Sequence, residues 1–245
     1  MTDFEDHFSR QADAYAAHRP GYPAALFAHL YDLAPGDAAW DCATGSGQAA
    51  RALAARYPRV IATDASAQQI QSAAPHPRVE YRVAPAECSG LPGHSVDLVV
   101  VAQALHWLDL DRFYAEARRV VRPGGVVAAW CYGLFSVDPA VDAIIGRLYD
   151  EVLDGCWPTG REHVDNGYAD LPFPFPRLEA PAVAMSARWD LDQLLGMLST
   201  WSAVVRHDRE QRPGALSLVQ RDLAAAWGDA RRAVTWPLSV FIGRV

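Results

Sequence analysis

The chain has 245 residues, a net charge of −7 and 22 basic residues, every one of them arginine. With no lysine, Schiff-base chemistry on a lysine is excluded, as are the phosphate-binding loop whose lysine reaches nucleotide phosphates and any tyrosine–lysine dehydrogenase pair. A composition of 51% hydrophobic and 21% charged residues with an acidic balance describes one folded domain and not a nonspecific nucleic-acid binder, which needs a basic face.

Cys42, Cys88, Cys131 and Cys156 are separated by 46, 43 and 25 residues, too far apart for a metal-type pair. Disulfides are not expected at this density, so a reducing cytoplasm is. The first residues, with Asp3, Glu5, Asp6, Arg10 and Asp13, resemble neither a signal nor a transit peptide. No apolar run approaches a membrane span. The expectation is a soluble, cytoplasmic protein, monomer or homodimer, with no metal, membrane or nucleic-acid partner.

Phe4, Phe8, Ala12 and Tyr15 recur on one face and predict a helix over residues 4–17. Pro20-Gly21-Tyr22-Pro23 stops it, and a second helix follows over 23–33. Residues 38–42 form a short apolar strand running into Ala43-Thr44-Gly45-Ser46-Gly47 and a helix over 48–56. A strand over 60–63 ends at Asp64, and Ser66 caps a helix reaching 73. Strands are predicted over 79–83 and 96–102 and an amphipathic helix over 110–121. Pro123-Gly124-Gly125 then turns into a strand over 126–131.

This alternation, with strands apolar throughout, predicts a parallel sheet covered on both faces. After residue 134 the rhythm breaks into a helix over 141–153 and a stretch carrying Trp157, Pro172, Phe173, Pro174 and Phe175. Residues 134–180 read as an insertion capping the carboxyl edge of the sheet. The remainder predicts a strand over 182–188, helices over 191–198 and 215–227, and a last alternating strand over 238–245, placed as an antiparallel edge.

The glycine loop after the first strand lets a ligand approach main-chain N–H groups at a helix N-terminus. A plain strand–helix turn is the competing reading, but Asp64 ends the next strand 17 residues after Gly47, where an acid meets ribose hydroxyls. Two adenosine-bearing cofactors fit. Gly45-Ser46-Gly47-Gln48-Ala49-Ala50 matches the relaxed dinucleotide pattern, so NAD is one. S-adenosylmethionine is the other, favoured by Asp41 before the loop, which suits an ammonium, and by Ala84-Pro85-Ala86-Glu87 after the third strand. The segment ahead of the first strand and the lack of a hydride-transfer constellation point the same way.

Taken together, Phe8, Tyr15 and Arg19-Pro20-Gly21-Tyr22-Pro23, the run from Asp41 to Gln48, Asp64, Ala86-Glu87, the run from Asp97 to Trp107, Arg122-Pro123-Gly124-Gly125, Trp157-Pro158, Trp201-Ser202-Ala203 and Trp236-Pro237 carry a resemblance. The chain resembles the class I S-adenosylmethionine-dependent methyltransferases, and within them the methyltransferase type 11 group related to trans-aconitate-type small-molecule methyltransferases. One departure is Ala43, where the commonest loop has the first of three alternate glycines.

The resemblance implies an α/β, Rossmann-like, doubly wound and mostly parallel seven-stranded sheet with an antiparallel last strand. To this it adds N-terminal helices, with 1–36 as a lid, and the small cap, in one domain over 1–245. It implies S-adenosylmethionine as cofactor, with Ala43, Thr44, Gly45 and Gly47 passing its methionine part, Asp41 at its ammonium, Asp64 on the ribose and Ala65 beside the adenine. Ala86 and Glu87 would lie at the adenine edge, and Gln103 and Ala104 would face the methionine moiety. Tyr15 and Arg19 would close the site, Arg19 as a carboxylate clamp or as a helix-end arginine.

Methyl transfer is an in-line displacement that needs alignment more than acid; a carboxylate acceptor needs no base, whereas a hydroxyl benefits from one. His106 is the candidate catalytic base, with a packing histidine as the alternative. Trp107, Trp157, Arg161, Tyr168 and Trp201 are the candidate substrate residues, with His163 nearby. Arg161 suits an anionic small molecule, while the aromatic residues would equally serve as glue for the cap. The expected reaction is methylation of a small molecule on oxygen, with an NAD(P)-dependent oxidoreductase or a non-catalytic binding module as alternatives.

Overall fold

The computed structural model describes residues 20–210 and 213–245, so the expected helix over 4–17, with Tyr15 and Arg19, lies outside the described residues. Helix α1 (Ala24–Leu33) precedes β1 (Ala38–Cys42), α2 (Gln48–Leu53), β2 (Arg59–Asp64), α3 (Ala67–Ser72), β3 (Val79–Val83) and β4 (Val96–Ala102). A 3₁₀ turn (Leu105–Trp107), α4 (Leu110–Val120) and β5 (Val121–Cys131) complete this half.

Among the described residues six strands make the main sheet in the order β3-β2-β1-β4-β5-β8, with β8 (Ser239–Arg244) antiparallel to β5 and the others parallel. The order reverses between β1 and β4, which makes their carboxyl ends the switch point where an open sheet binds ligands. Alternation along the strands supplies two cores. Trp40, Cys42, Val99 and Val101 pack against Phe113, Ala117 and Val120 of α4. Ala39, Val60, Leu98 and Val100 pack against Leu26, Leu30 and Leu53 of α1 and α2. Both faces of the central strands are covered, which is why β1 and β4 are buried at nearly every position, whereas the edge strand β3 carries Glu80 and Arg82 and is not fully buried anywhere.

Local chemistry sets the ends of these elements. Ser66 accepts from the Gln69 N–H at the start of α3, and Asp109 accepts from the Arg112 N–H at the start of α4. Arg118 and Arg119 sit in the last turn of α4, where cations complement the helix dipole. The expected turn before β5 lies within it instead. Pairing begins at Val121, the register shifts between Val96 and Leu98, and a Cβ on Gly125 would come within 2.6 Å of the Asp97 carbonyl oxygen. The glycine therefore forms a bulge and not a loop.

The seventh strand is a correction. Residues 232–237 are a strand, β7 (Arg232–Pro237), but it pairs antiparallel with β6 (Ala184–Trp189) in a separate two-stranded sheet. Among the described residues the free edge of β8 receives a short antiparallel bridge, Arg177 to Gly243. Between β5 and β6 lie α5 (Pro139–Arg147), a π turn (Leu148–Val152) and α6 (Arg161–Asp165). The helix expected over 141–153 is thus an α-helix that widens at its end. After β6 come α7 (Leu191–Ser199), α8 (Ser202–Glu210), a 3₁₀ turn (Ala215–Leu218) and α9 (Gln220–Trp227); α8 was not anticipated. These elements share a third core of Phe135, Ile145, Leu148, Met185, Leu194 and Trp236. The second half therefore extends well beyond residue 180.

Candidate functional site

The loop after β1 places Ala43, Gly45 and Gly47 at φ of 55°, 57° and 79°, so every second residue occupies the left-handed region. That alternation is the physical reason for a Gly-x-Gly pattern. A Cβ on Gly47 would run into the Tyr81 hydroxyl, while Ala43 accepts a conformation that costs an L-residue about 1–2 kcal/mol. The Thr44 N–H donates to the Thr63 carbonyl at 2.9 Å and the Gly45 N–H to Asp64 Oδ2 at 2.9 Å. The loop is thereby tied to the end of β2. Asp64 Oδ1 accepts from the Ser66 N–H at 2.9 Å, and Ala65 beside it is exposed.

Asp41 is fully buried at the end of β1. Its Oδ2 accepts from the Thr44 hydroxyl at 2.5 Å, but its Oδ1 has no hydrogen-bond partner. Burial pushes its carboxyl up to about 7 against the opposing Thr44 and Ala50 hydrogen bonds, with Asp64 adding repulsion. A buried carboxylate oxygen without a partner, beside a loop open to a ligand, fits the ammonium of the cofactor expected here. Asp64, an acid at the end of the neighbouring strand, fits its hydroxyls. Ala86 is buried, and Glu87 Oε1 accepts from the Asp109 N–H at 3.3 Å; both follow β3 on the same edge.

At the end of β4, Gln103 also lies at positive φ, 57°. Its side-chain amide pairs with the Tyr132 backbone, donating to the carbonyl at 3.0 Å and accepting from the N–H at 2.8 Å. It clasps the ends of β4 and β5 together. Ala104 is buried behind it.

A cavity of about 110 Å³ opens between this edge and the second half. Gln103, His106, Trp107, Trp157, Arg161 and Trp201, all singled out from the sequence, stand on its wall. The loop residues 43–47, Asp64, Ala86 and Glu87 do not; they line the adjoining stretch of the sheet edge. Tyr168 is 1% exposed and sits behind His106, its hydroxyl 2.8 Å from Nδ1. His163 pairs with Asp170 at 2.6 Å.

Arg161 is held on the wall with its charge centre 5.0 Å from the Trp157 ring and 5.3 Å from the Tyr149 ring. Its Nε donates to the Tyr149 hydroxyl at 2.5 Å and to Asp165 at 3.1 Å, leaving the two terminal nitrogens without a hydrogen-bond partner among the described residues. Trp157 in turn donates to the Tyr149 carbonyl at 3.1 Å, a group set by the π turn. Burial, with the Arg161 charge beside it, holds the His106 imidazole down at about 4, so the ring is neutral at pH 7.

Tyr132, Phe135, Met185, Met197, Thr200 and Trp236 also stand on the wall and were not singled out as site residues. Trp236-Pro237 stood in the sequence as a motif, whereas the methionines gave no local signal. Among the described residues no cluster of metal-ligating side chains occurs, and no helix is long and apolar enough to cross a membrane. All four cysteines are free.

Residues 40–129 match the methyltransferase domain family. The chain is 30% identical to a candidate methyltransferase of Dictyostelium discoideum, across 99% of this chain and 96% of that one. It is 28% identical to a methyltransferase of Aspergillus candidus over 60% of this chain and 51% of that one. A solved structure of a candidate type II methyltransferase from Anaeromyxobacter dehalogenans superposes with a TM-score of 0.88 at 52% identity, covering 92% of this chain and 97% of that chain.

Proposed function

We propose a small, acidic acceptor for this chain, which belongs to the class I S-adenosylmethionine-dependent methyltransferases. The cavity carries this reading. At about 110 Å³ it is somewhat smaller than the ~150 Å³ cavity that admits benzene, and its wall pairs aromatic surface with an arginine and a neutral histidine. Bound S-adenosylmethionine supplies an electrophilic methyl group on a sulfonium.

The residues of this chain bind and orient. Asp41 faces the cofactor's ammonium, the backbone from Ala43 to Gly47 passes its methionine part, and Asp64 takes the ribose. Ala65, Ala86 and Glu87 frame the adenine, and Gln103 and Ala104 close the methionine side. The cap is the stretch over 134–180 together with the β6–β7 sheet and its helices, which share one core with it.

Arg161 meets the acceptor's negative charge with its terminal nitrogens, and the rings of Trp107, Trp157 and Trp201 exclude water. An imidazole held at about 4 is a weak base, which favours an acceptor oxygen already ionised at pH 7, a carboxylate, over a hydroxyl. His106 then contacts the acceptor without having to take its proton. The four free thiols accord with a reducing cytoplasm.

The test is methyl-labelled cofactor with a panel of small carboxylic acids, phenols, alcohols and amines, followed by mild alkali. Label released as methanol identifies a methyl ester and supports the reading. Label that stays on a phenol or amine overturns it.

A further inference from the structure

His106 lies where its protonation state decides what it offers the acceptor, and its two ring nitrogens have different surroundings. Nδ1 is 2.8 Å from the Tyr168 hydroxyl. Nε2 makes no hydrogen bond among the described residues. The Tyr168 side chain is placed at some cost: Gly167 and Tyr168 follow one another at φ of 59° and 64°. An aromatic residue in the left-handed region is held there by its surroundings, here by the Tyr168 N–H donating to the His163 carbonyl at 2.7 Å. The result is a phenol at 1% exposure under the imidazole, with ring centroids 5.7 Å apart.

A buried phenol must place its proton on an acceptor. Burial keeps that proton on the oxygen, holding the phenol well above its ordinary range. The only hydrogen-bond partner of the Tyr168 hydroxyl among the described residues is His106 Nδ1. Were the imidazole proton on Nδ1 instead, two donors would face each other and the phenol proton would be orphaned, a penalty worth roughly tenfold or more in population.

We propose that Tyr168 is a positioning residue that fixes His106 with its proton on Nε2, making His106 a hydrogen-bond donor at the cavity and not a base. The tautomer is a property of the ligand-free protein. Its consequence for the acceptor rests on the proposed function: Nε2–H and the terminal nitrogens of Arg161 present donors only, so the cavity favours an acceptor oxygen that arrives without a proton. A neutral hydroxyl would find no base there.

The experiment is long-range proton–nitrogen correlation on the full, ligand-free, ¹⁵N-labelled chain, with the His106 signals assigned by their loss in His106→Gln. The expected spectrum has a pyrrole-type nitrogen at Nε2, a pyridine-type nitrogen at Nδ1, and a slowly exchanging Tyr168 hydroxyl proton correlated to Nδ1. In Tyr168→Phe the single tautomer is expected to give way to a mixture in which Nδ1–H gains tenfold or more. A pyrrole-type Nδ1 in the wild-type chain overturns the proposal, and so does an unchanged Nε2–H tautomer in a folded Tyr168→Phe. If that variant does not fold, the hydroxyl-to-Nδ1 correlation in the wild-type chain decides: its presence supports the proposal and its absence overturns it. None of these readings depends on methyl transfer, so a failure of the carboxylate reading leaves them intact and is recognised separately by alkali-stable label.

Discussion

Asp41 offers the sharpest test of the site, because one substitution separates its cost to the fold from its use. The folded chain holds its proton up to about pH 7, whereas the unfolded chain releases it near the ordinary 3.8. Between those values the folded state binds more protons, so stability is lost as pH rises through the window. At ~1.4 kcal/mol for each tenfold, full ionisation costs the fold about 4 kcal/mol at most. Asp41→Asn cannot ionise. Its stability relative to the wild type is expected to climb by a few kcal/mol from pH 4 to pH 8, read as urea midpoints at constant slope.

The same substitution is expected to weaken the product S-adenosylhomocysteine, which carries the same ammonium. In the wild type that ammonium favours the ionised carboxylate, so binding at pH 6 is expected to release up to about one proton. Calorimetry in two buffers of different ionisation enthalpy measures it. Identical pH–stability curves for the two proteins would refute the burial argument. Proton release unchanged in Asp41→Asn would refute the placement of the ammonium.

Arg161→Gln is expected to raise the KM of an acidic acceptor roughly tenfold to a hundredfold, the weight of a charged hydrogen bond, with S-adenosylhomocysteine affinity unchanged; a parallel loss of both would place Arg161 elsewhere. Glu116 receives the Ser89 N–H at 2.9 Å and Arg119 at 2.7 Å, and the Arg119 bonds, followed by those of Ser89, hold its carboxyl down at about 2. Its contribution is present above pH 4.5 and lost as pH falls through about 2, and Glu116→Ala, which orphans Ser89, is expected to cost about 2 kcal/mol at pH 7 in urea titration. His106, neutral down to about 4, predicts a rate profile without an inflection near 6.5; one there, abolished in His106→Gln, would show a titrating base. Ala43→Gly relieves a left-handed alanine at the expense of unfolded-state entropy, and a net gain of about 0–1 kcal/mol with cofactor affinity retained is expected by thermal unfolding.

The first half of the fold was legible because its central strands are buried on both faces. An apolar run such as residues 96–102 between polar turns has no other good reading at that length, and β1, β3 and β4 fall where they were expected. Strand β7 was not legible: Ala233 to Trp236 lies between two arginines and a proline, and it pairs with a strand some 48 residues earlier. Helix α8 hid for a different reason. It buries only Ala203, Val204 and His207 and carries five charged or histidine side chains in nine residues. The acceptor wall divides the same way. Residues adjoining the β4 edge, Gln103 to Trp107, could be read from their place after an apolar strand. Met185, Met197 and Trp236 reach the cavity only through the packing of the third core, which no local spacing encodes.

The strained residues at the sheet edge can be read with that division in mind. Ala43 and Gln103 leave β1 and β4, the neighbouring strands between which the sheet order reverses, and both do so in the left-handed region without being glycine. Strain concentrated at one place needs compensation there. For Gln103 the compensation is visible: two hydrogen bonds to Tyr132, worth about 0.5–1.5 kcal/mol each, exceed or balance the backbone cost and join β4 to β5 beneath the cavity. Ala43 has no such side chain. Its compensation is collective, through the Thr44 N–H on β2 and the Gly45 N–H on Asp64, so the loop's shape depends on the carboxylate proposed to hold the ribose. Asp64 therefore holds two roles that one measurement can separate: Asp64→Asn keeps the size while weakening the bond to Gly45, and Ala43→Gly in the same chain should restore stability without restoring the cofactor.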